Sequence, residues 1–135
     1  MTANPPLRSG LSATHCSVMY KKEPRMNNFP PFMMTQTNLV PSESQSDGVK
    51  GWIYTGEDGK QTAYWLCEKD GISKEHVHDF DEYFMVIDGE YILEISGKTI
   101  IMNKGDEYYI KNGVPHSGKF KSGTRTFHCF GGQRA

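Results

Sequence analysis

The sequence has no long apolar run, no basic stripe and no close pair of cysteines, and each absence removes a class of function. Nothing approaches the roughly 20 apolar residues that a membrane-spanning helix needs, so a soluble chain without a membrane partner is expected. Lys and Arg number 15 against 16 Asp and Glu, a formal net charge of -1. With no basic face, nucleic acid is not an expected partner. The three cysteines, Cys16, Cys67 and Cys129, lie far apart. An odd number without a secretory leader predicts free thiols in a reducing compartment, and so a cytoplasmic protein. A leader is not expected because "LSATHCSVMY" lacks a sustained apolar stretch. No segment holds a 3.6-residue period for three turns, which predicts little helix. Also missing are a nucleophile-plus-base motif, a heptad pattern and a phosphate-cradling glycine loop. The glycines of "GTRTFHCFGGQRA" have no strand-to-helix context.

What is present reads as one all-β domain. At 135 residues the chain can bury one core but not two. "MTANPP", "FPPF" and "VPSESQSDG" mark residues 1–47 as rich in Pro, Ser and Asn. Residues 1–25 are expected to form a loose N-terminal arm and 26–47 an extended lead-in, with Met26 a candidate alternative start. From Gly48 onward, short runs rich in Tyr, Ile, Val, Phe and Trp alternate with turn signals. The strands expected are "VKGWIY", "QTAYWLCE", "EYFMVI", "EYILEI", "TIIMN", "YYI" and "TRTFHCF", with "KDGIS" and "KNGVP" as turns. Asp88-Gly89 and Ser96-Gly97 suit tight hairpins, where glycine tolerates positive φ. Unbroken short strands predict a single sandwich or barrel, a domain over 26–135 with its core about 48–130. "EYFMVI" is apolar on both faces, Phe84 and Val86 on one, Tyr83, Met85 and Ile87 on the other. Something must cover the second face, whether a sheet layer, the N-terminal segment or a second subunit. A homodimer is the expectation taken from this.

The chemistry concentrates in "EHVHDFDEYFMVIDGEY". On a strand, His76 and His78 point to the same face, roughly 6.6 Å apart along the chain, and can converge on one ion. On a helix they would diverge by roughly 200°. Glu82, an even number of residues from both, shares their face if the chain stays extended across "DFD". His116 follows the Gly-Val-Pro bend of "KNGVPHSG", placed for a neighbouring strand to bring it across. Three neutral imidazoles and one carboxylate leave a divalent ion with a net charge of about +1. The set suits iron, manganese, nickel, zinc, copper or cobalt.

These residues resemble the signatures of the cupin superfamily, in particular its small single-domain, RmlC-like members. Gly71, His76, His78, Glu82 and Gly89 are similar to the first signature, a glycine, His-x-His, a glutamate and a second glycine. Gly105, Gly113 and His116 match the second signature at its spacings. Gly71 stands one residue nearer the first histidine than in that pattern. Lys111 occupies a common proline position and Phe120 a common asparagine position. The resemblance covers about residues 48 to 130. It implies a double-stranded β-helix, or jelly-roll barrel, with His76, His78, Glu82 and His116 as ligands to an interior metal. It further implies a small-molecule ligand or substrate. The expected function is that of a metal-dependent enzyme, of isomerase, lyase or dioxygenase type, acting on a sugar, carboxylic acid or phenolic. The alternative is a non-catalytic binding or sensing barrel.

Around this set, Tyr64, Trp65, Tyr83, Tyr108, Tyr109 and His128 are candidates for the barrel mouth. His128 shares a strand face with Thr126 and Phe130, and if that face is inward it can support a ligand or exchange a proton. Tyr64 and Tyr108 are further acid/base candidates, against a plain packing role for the tyrosines. Lys111 and Arg125 can each meet an anion or simply stay solvated. Cys67 and Cys129, in strand-like runs, are read as buried inert thiols.

Overall fold

A computed structural model describes residues 26–135, so the expected arm, residues 1–25 with Cys16, lies outside the described residues. Among the described residues there are nine strands: β1 (Val49–Thr55), β2 (Gln61–Cys67), β3 (Gly71–His76), β4 (Glu82–Asp88), β5 (Glu90–Ile95), β6 (Lys98–Asn103), β7 (Glu107–Ile110), β8 (His116–Phe120) and β9 (Arg125–Phe130). They form two antiparallel sheets, ordered β1-β2-β9-β4-β7 and β3-β8-β5-β6. The result is the all-β jelly-roll barrel that was expected.

Strand alternation decides what faces inward. On β2, Gln61, Ala63, Trp65 and Cys67 are buried while the residues between them are not. On β4 the buried set is Glu82, Phe84 and Val86. One apolar cluster joins both sheets through Phe84, Val86, Leu93, Ile95, Met102 and Ile110. A second, of Val40, Ile53, Ala63, Trp65 and Phe130, joins the lead-in to β1, β2 and β9. The polar residues Glu82, His116 and His128 are buried in the same interior.

Several expectations need correction. "KDGIS" is not only a turn, because β3 begins at Gly71, and "HSGKF" forms β8, a strand with too few large apolar residues to announce itself. Asp88-Gly89 does not close a hairpin. β4 and β5 belong to different sheets, so this turn carries the chain across the barrel. A Cβ on Gly89 (φ +89) would lie 2.4 Å from Thr124 Oγ1, so the crossing needs glycine for space as well as for backbone freedom. Ser96 (φ 52) and Gly97 (φ 73) do form a hairpin turn, between β5 and β6.

The lead-in is not simply extended. It makes three short 3-10 turns, Pro31–Met33, Gln36–Asn38 and Ser42–Ser44, the first started by a proline whose fixed φ suits that position. Tyr54 Oη donates to the Met33 carbonyl at 2.6 Å and Asn38 Nδ2 to that of Ile53 at 2.8 Å. Phe29 is buried against Trp52 and Tyr64, with ring centroids 6.3 and 5.4 Å away. The N-terminal segment therefore covers the outer face of the five-stranded sheet at β1 and β2. Tyr83, Met85 and Ile87 on that face are half-buried.

Candidate metal centre

The histidines converge by a different route from one extended strand. His76 ends β3 and is paired across the sheet with His116, the first residue of β8. Their ring centroids lie 4.2 Å apart. The β3–β8 register shifts between Ser73 and His76, turning the end of the strand. His78 lies in the connection that leaves β3, and Glu82 opens β4 in the opposite sheet. The bend at "DFD" is thus a crossing between sheets, and it brings a carboxylate to face imidazoles from the other wall. Phe80 stacks on His78 at 4.7 Å and 13°, and the Gly113 N–H donates to the His78 carbonyl at 2.8 Å. The bend that delivers His116 is thereby tied to the loop that carries His78.

Backbone carbonyls set the tautomers. His76 Nδ1 lies 2.7 Å from the Lys74 carbonyl and His116 Nδ1 2.9 Å from that of Val114. Each ring donates Nδ1–H there, which leaves Nε2 as a lone pair. Ligand-capable atoms of His76, His78 and His116 all lie within 4.8 Å of one another. Glu82 Oε1 is 3.4 Å from His78 Nε2 and 3.5 Å from His116 Nε2, ion-pair distances that are long for hydrogen bonds. Its other oxygen, Oε2, accepts from His128 Nδ1 at 2.7 Å. His128 Nε2 is then free to accept from Thr126 Oγ1, at 2.9 Å. The imidazole of His128 lies flat on Phe84, with centroids 5.0 Å apart at 7°.

Burial by itself would raise the Glu82 carboxyl, but His116, His128 and His78 outweigh it and hold the group well below the usual carboxylate range. Burial lowers His76, and it lowers His128, the neutral donor to Glu82. Burial also opposes charge on His116, yet the facing Glu82 prevails and raises it.

The donors fit a cation. His116 Nε2 and Glu82 Oε1 are both buried and neither has a hydrogen-bond partner. Two acceptors facing at 3.5 Å repel unless a proton or a metal ion lies between them. Imidazole nitrogens and a carboxylate oxygen are the donor types that divalent transition metals take.

The cavity below this cluster measures about 70 Å³, room for a few waters or one small group. Trp65 and His128 line it with the three histidines and Glu82. The other aromatic candidates do not. Tyr64 packs outside against Phe29 and Phe127, and Tyr108 lies against the core cluster. Tyr83 Oη donates to Glu107 at 2.6 Å and Tyr109 Oη to Asp81, both on the outer side of β4 and β7. Lys111 is an exposed turn residue. Arg125 is buried, donating to the Met26 carbonyl at 2.7 Å, and so is neither solvated nor at the barrel mouth. Cys67 is buried and its thiol is pushed up to about 12; Cys129 is half-buried and also raised by burial. Sequence reasoning missed Arg134, which lines the cavity from a tail that carries no local motif. It also missed the role of Thr126, whose only signal is its even spacing from His128.

A family model described as a cupin domain matches residues 63–130. No curated protein matches the chain. Among solved structures, KdgF from Halomonas sp. is similar, with a TM-score of 0.60 and 15% identity over 71% of this chain and 94% of that one. An RmlC-like cupin from Shewanella frigidimarina gives 0.60 and 16%, over 72% and 96%. A salicylate 1,2-dioxygenase variant from Pseudoaminobacter salicylatoxidans, in complex with gentisate, gives 0.57 and 16%, over 62% and 25%. At these identities the likeness establishes the fold.

Proposed function

The chain belongs to the cupin family, and from that premise we propose that it binds a divalent transition metal and acts as a metal-dependent enzyme on a small polar molecule. The observation that carries this reading is the set of three imidazoles facing a buried Glu82 with an unpartnered oxygen. His76, His78, His116 and Glu82 would hold the ion. When bound, such an ion polarises a substrate oxygen or lowers the pKa of a water. With four protein ligands, an octahedral ion keeps about two positions for substrate.

The chain's own residues do the rest. Lys74 and Val114 carbonyls orient two rings, and His128 fixes the carboxylate plane of Glu82. Phe84, Phe130 and Trp65 give the cavity apolar walls that limit water. Glu82, committed to the metal and to His128, is not the general base. The substrate classes proposed, from the cupin membership, are sugars, carboxylic acids and phenolics, and the reaction types are isomerase, lyase or dioxygenase.

Elemental analysis of protein purified without chelator tests the first half. About one equivalent of metal per chain is expected, lost in His116→Ala. A metal-free protein whose melting point is unmoved by added metals overturns the reading. Turnover by the loaded protein on a panel of those substrate classes, absent in His76→Ala, tests the second half.

A further inference from the structure

Arg134 stands where the metal cavity meets the surface. With His78, it lines both the inner cavity and a wider outer depression bounded by Phe80, Asn112 and Gly113. Its guanidinium lies over the Trp65 ring, 4.8 Å from the centroid. Trp65 in turn lies across Gly51, where any Cβ would fall 1.7 Å from the indole, so only glycine lets the ring settle on β1. The tail is held in place from below. Gln61, 2% exposed, accepts from the backbone N–H of Arg134 at 2.6 Å and donates to the Ala135 carbonyl oxygen at 2.7 Å. A buried glutamine thus fixes the backbone that aims this arginine.

The Trp65 ring is the partner of the Arg134 charge, and no carboxylate is hydrogen-bonded to it. Among the described residues no carboxylate forms an ion pair with it. Glu82 is near enough to act on it through space, but is already engaged by His128. Asp79 lines the outer depression and is exposed. Arg134 is half-buried and keeps its charge there, with the Trp65 face beneath it and hydrogen-bond donors left for an anion. Its planar fork matches a carboxylate by two parallel hydrogen bonds. Gln45 Nε2, buried and without a hydrogen-bond partner, adds a neutral donor on the wall of the inner cavity, beside the end of the ligand that reaches the histidines.

We propose that Arg134, held on Trp65 by the Gln61 latch, is the specificity residue for a small organic carboxylate whose other end reaches the histidine cluster. This rests on the reading of the cavity as the substrate site, and it narrows the substrate class to acids. The carboxylate sits in the outer depression against the guanidinium. The ring stack and the latch keep the fork aligned before substrate arrives.

Calorimetric titration of the intact protein tests this with benzoate against benzamide, galacturonate against galactose, and inorganic phosphate. At least one carboxylate should bind tenfold or more tighter than its neutral counterpart, and tighter than phosphate. Arg134→Gln should lose at least tenfold in that affinity and lose the preference, with melting point and metal content as in the parent. Arg134→Lys, which keeps charge without the fork, should fall between. No preference for a carboxylate, phosphate binding more tightly than every acid, or undiminished binding by Arg134→Gln overturns the proposal. Failure of the metal reading shows separately, as a parent protein without metal, whatever the titrations give.

Discussion

Glu82 Oε2 and His128 Nδ1 are joined by a 2.7 Å hydrogen bond inside the barrel, with Glu82 5% and His128 6% exposed. The bond leaves the other carboxylate oxygen directed at His78 and His116, and passes the second ring nitrogen of His128 to Thr126. A carboxylate with one oxygen committed and one unpartnered is a prepared ligand, so on the proposed reading the bond links the stability of the barrel to metal binding.

His128→Phe should keep the ring stack on Phe84 but strip Glu82 of its donor. A buried acceptor left unpaired costs about 1–3 kcal/mol, which denaturant unfolding would register. Metal affinity should also fall, by about 10–100-fold, as expected when the group orienting a ligand is removed. An unchanged metal affinity would contradict the orienting role.

His76→Ala and His116→Ala should each abolish metal retention while leaving the far-ultraviolet circular dichroism of a β-protein. Both side chains lie at strand ends and belong to neither apolar cluster, although His116 is buried. Metal retained at parent levels in both variants would rule out these ligands.

Metal should stabilise the parent chain by mass action. At a free concentration about 100 times Kd, the gain is about 2.7 kcal/mol. Urea midpoints with metal and with chelator measure it, and His116→Ala should show no difference between the two conditions.

Gly118→Ala should destabilise the four-stranded sheet, since a Cβ there would lie 1.9 Å from Tyr91 Oη. Overpacking of this kind costs about 1–3 kcal/mol. Wild-type stability in thermal or urea unfolding would show that Tyr91 moves aside freely.

The Cys67 thiol, pushed up to about 12 by burial, should resist alkylation at pH 8. The thiolate fraction there is about one in ten thousand, and it rises only as pH climbs toward the shifted value. Mass mapping after iodoacetamide should find Cys67 unmodified in the native protein and modified after unfolding.

The sequence was most readable where strand alternation and turn chemistry act locally. β2 and β4 show their inward residues by period two, and Ser96-Gly97 announces its hairpin. β8 was hard to read because "HSGKF" buries a histidine and a glycine beside one large apolar residue. Asp88-Gly89 misled because a tight turn looks the same whether the next strand pairs with the last or crosses to another sheet. Parity placed His76, His78 and Glu82 on one strand face, whereas they come from the end of one sheet, a connecting loop and the start of the other.

By itself the sequence determined an all-β chain with three histidines and a glutamate at spacings similar to those of cupins, because residue type, period and turn signals are local properties. Only the tertiary structure decided that His128 holds Glu82, that Tyr64 and Tyr108 stand away from the cavity, and that Arg134 returns to its mouth. Those relationships join residues 46 to 74 positions apart in the chain, such as Glu82 with His128 and Gln61 with the tail. They exist only once β2, β9 and β4, distant in the chain, have paired side by side in one sheet, and no local pattern encodes that pairing.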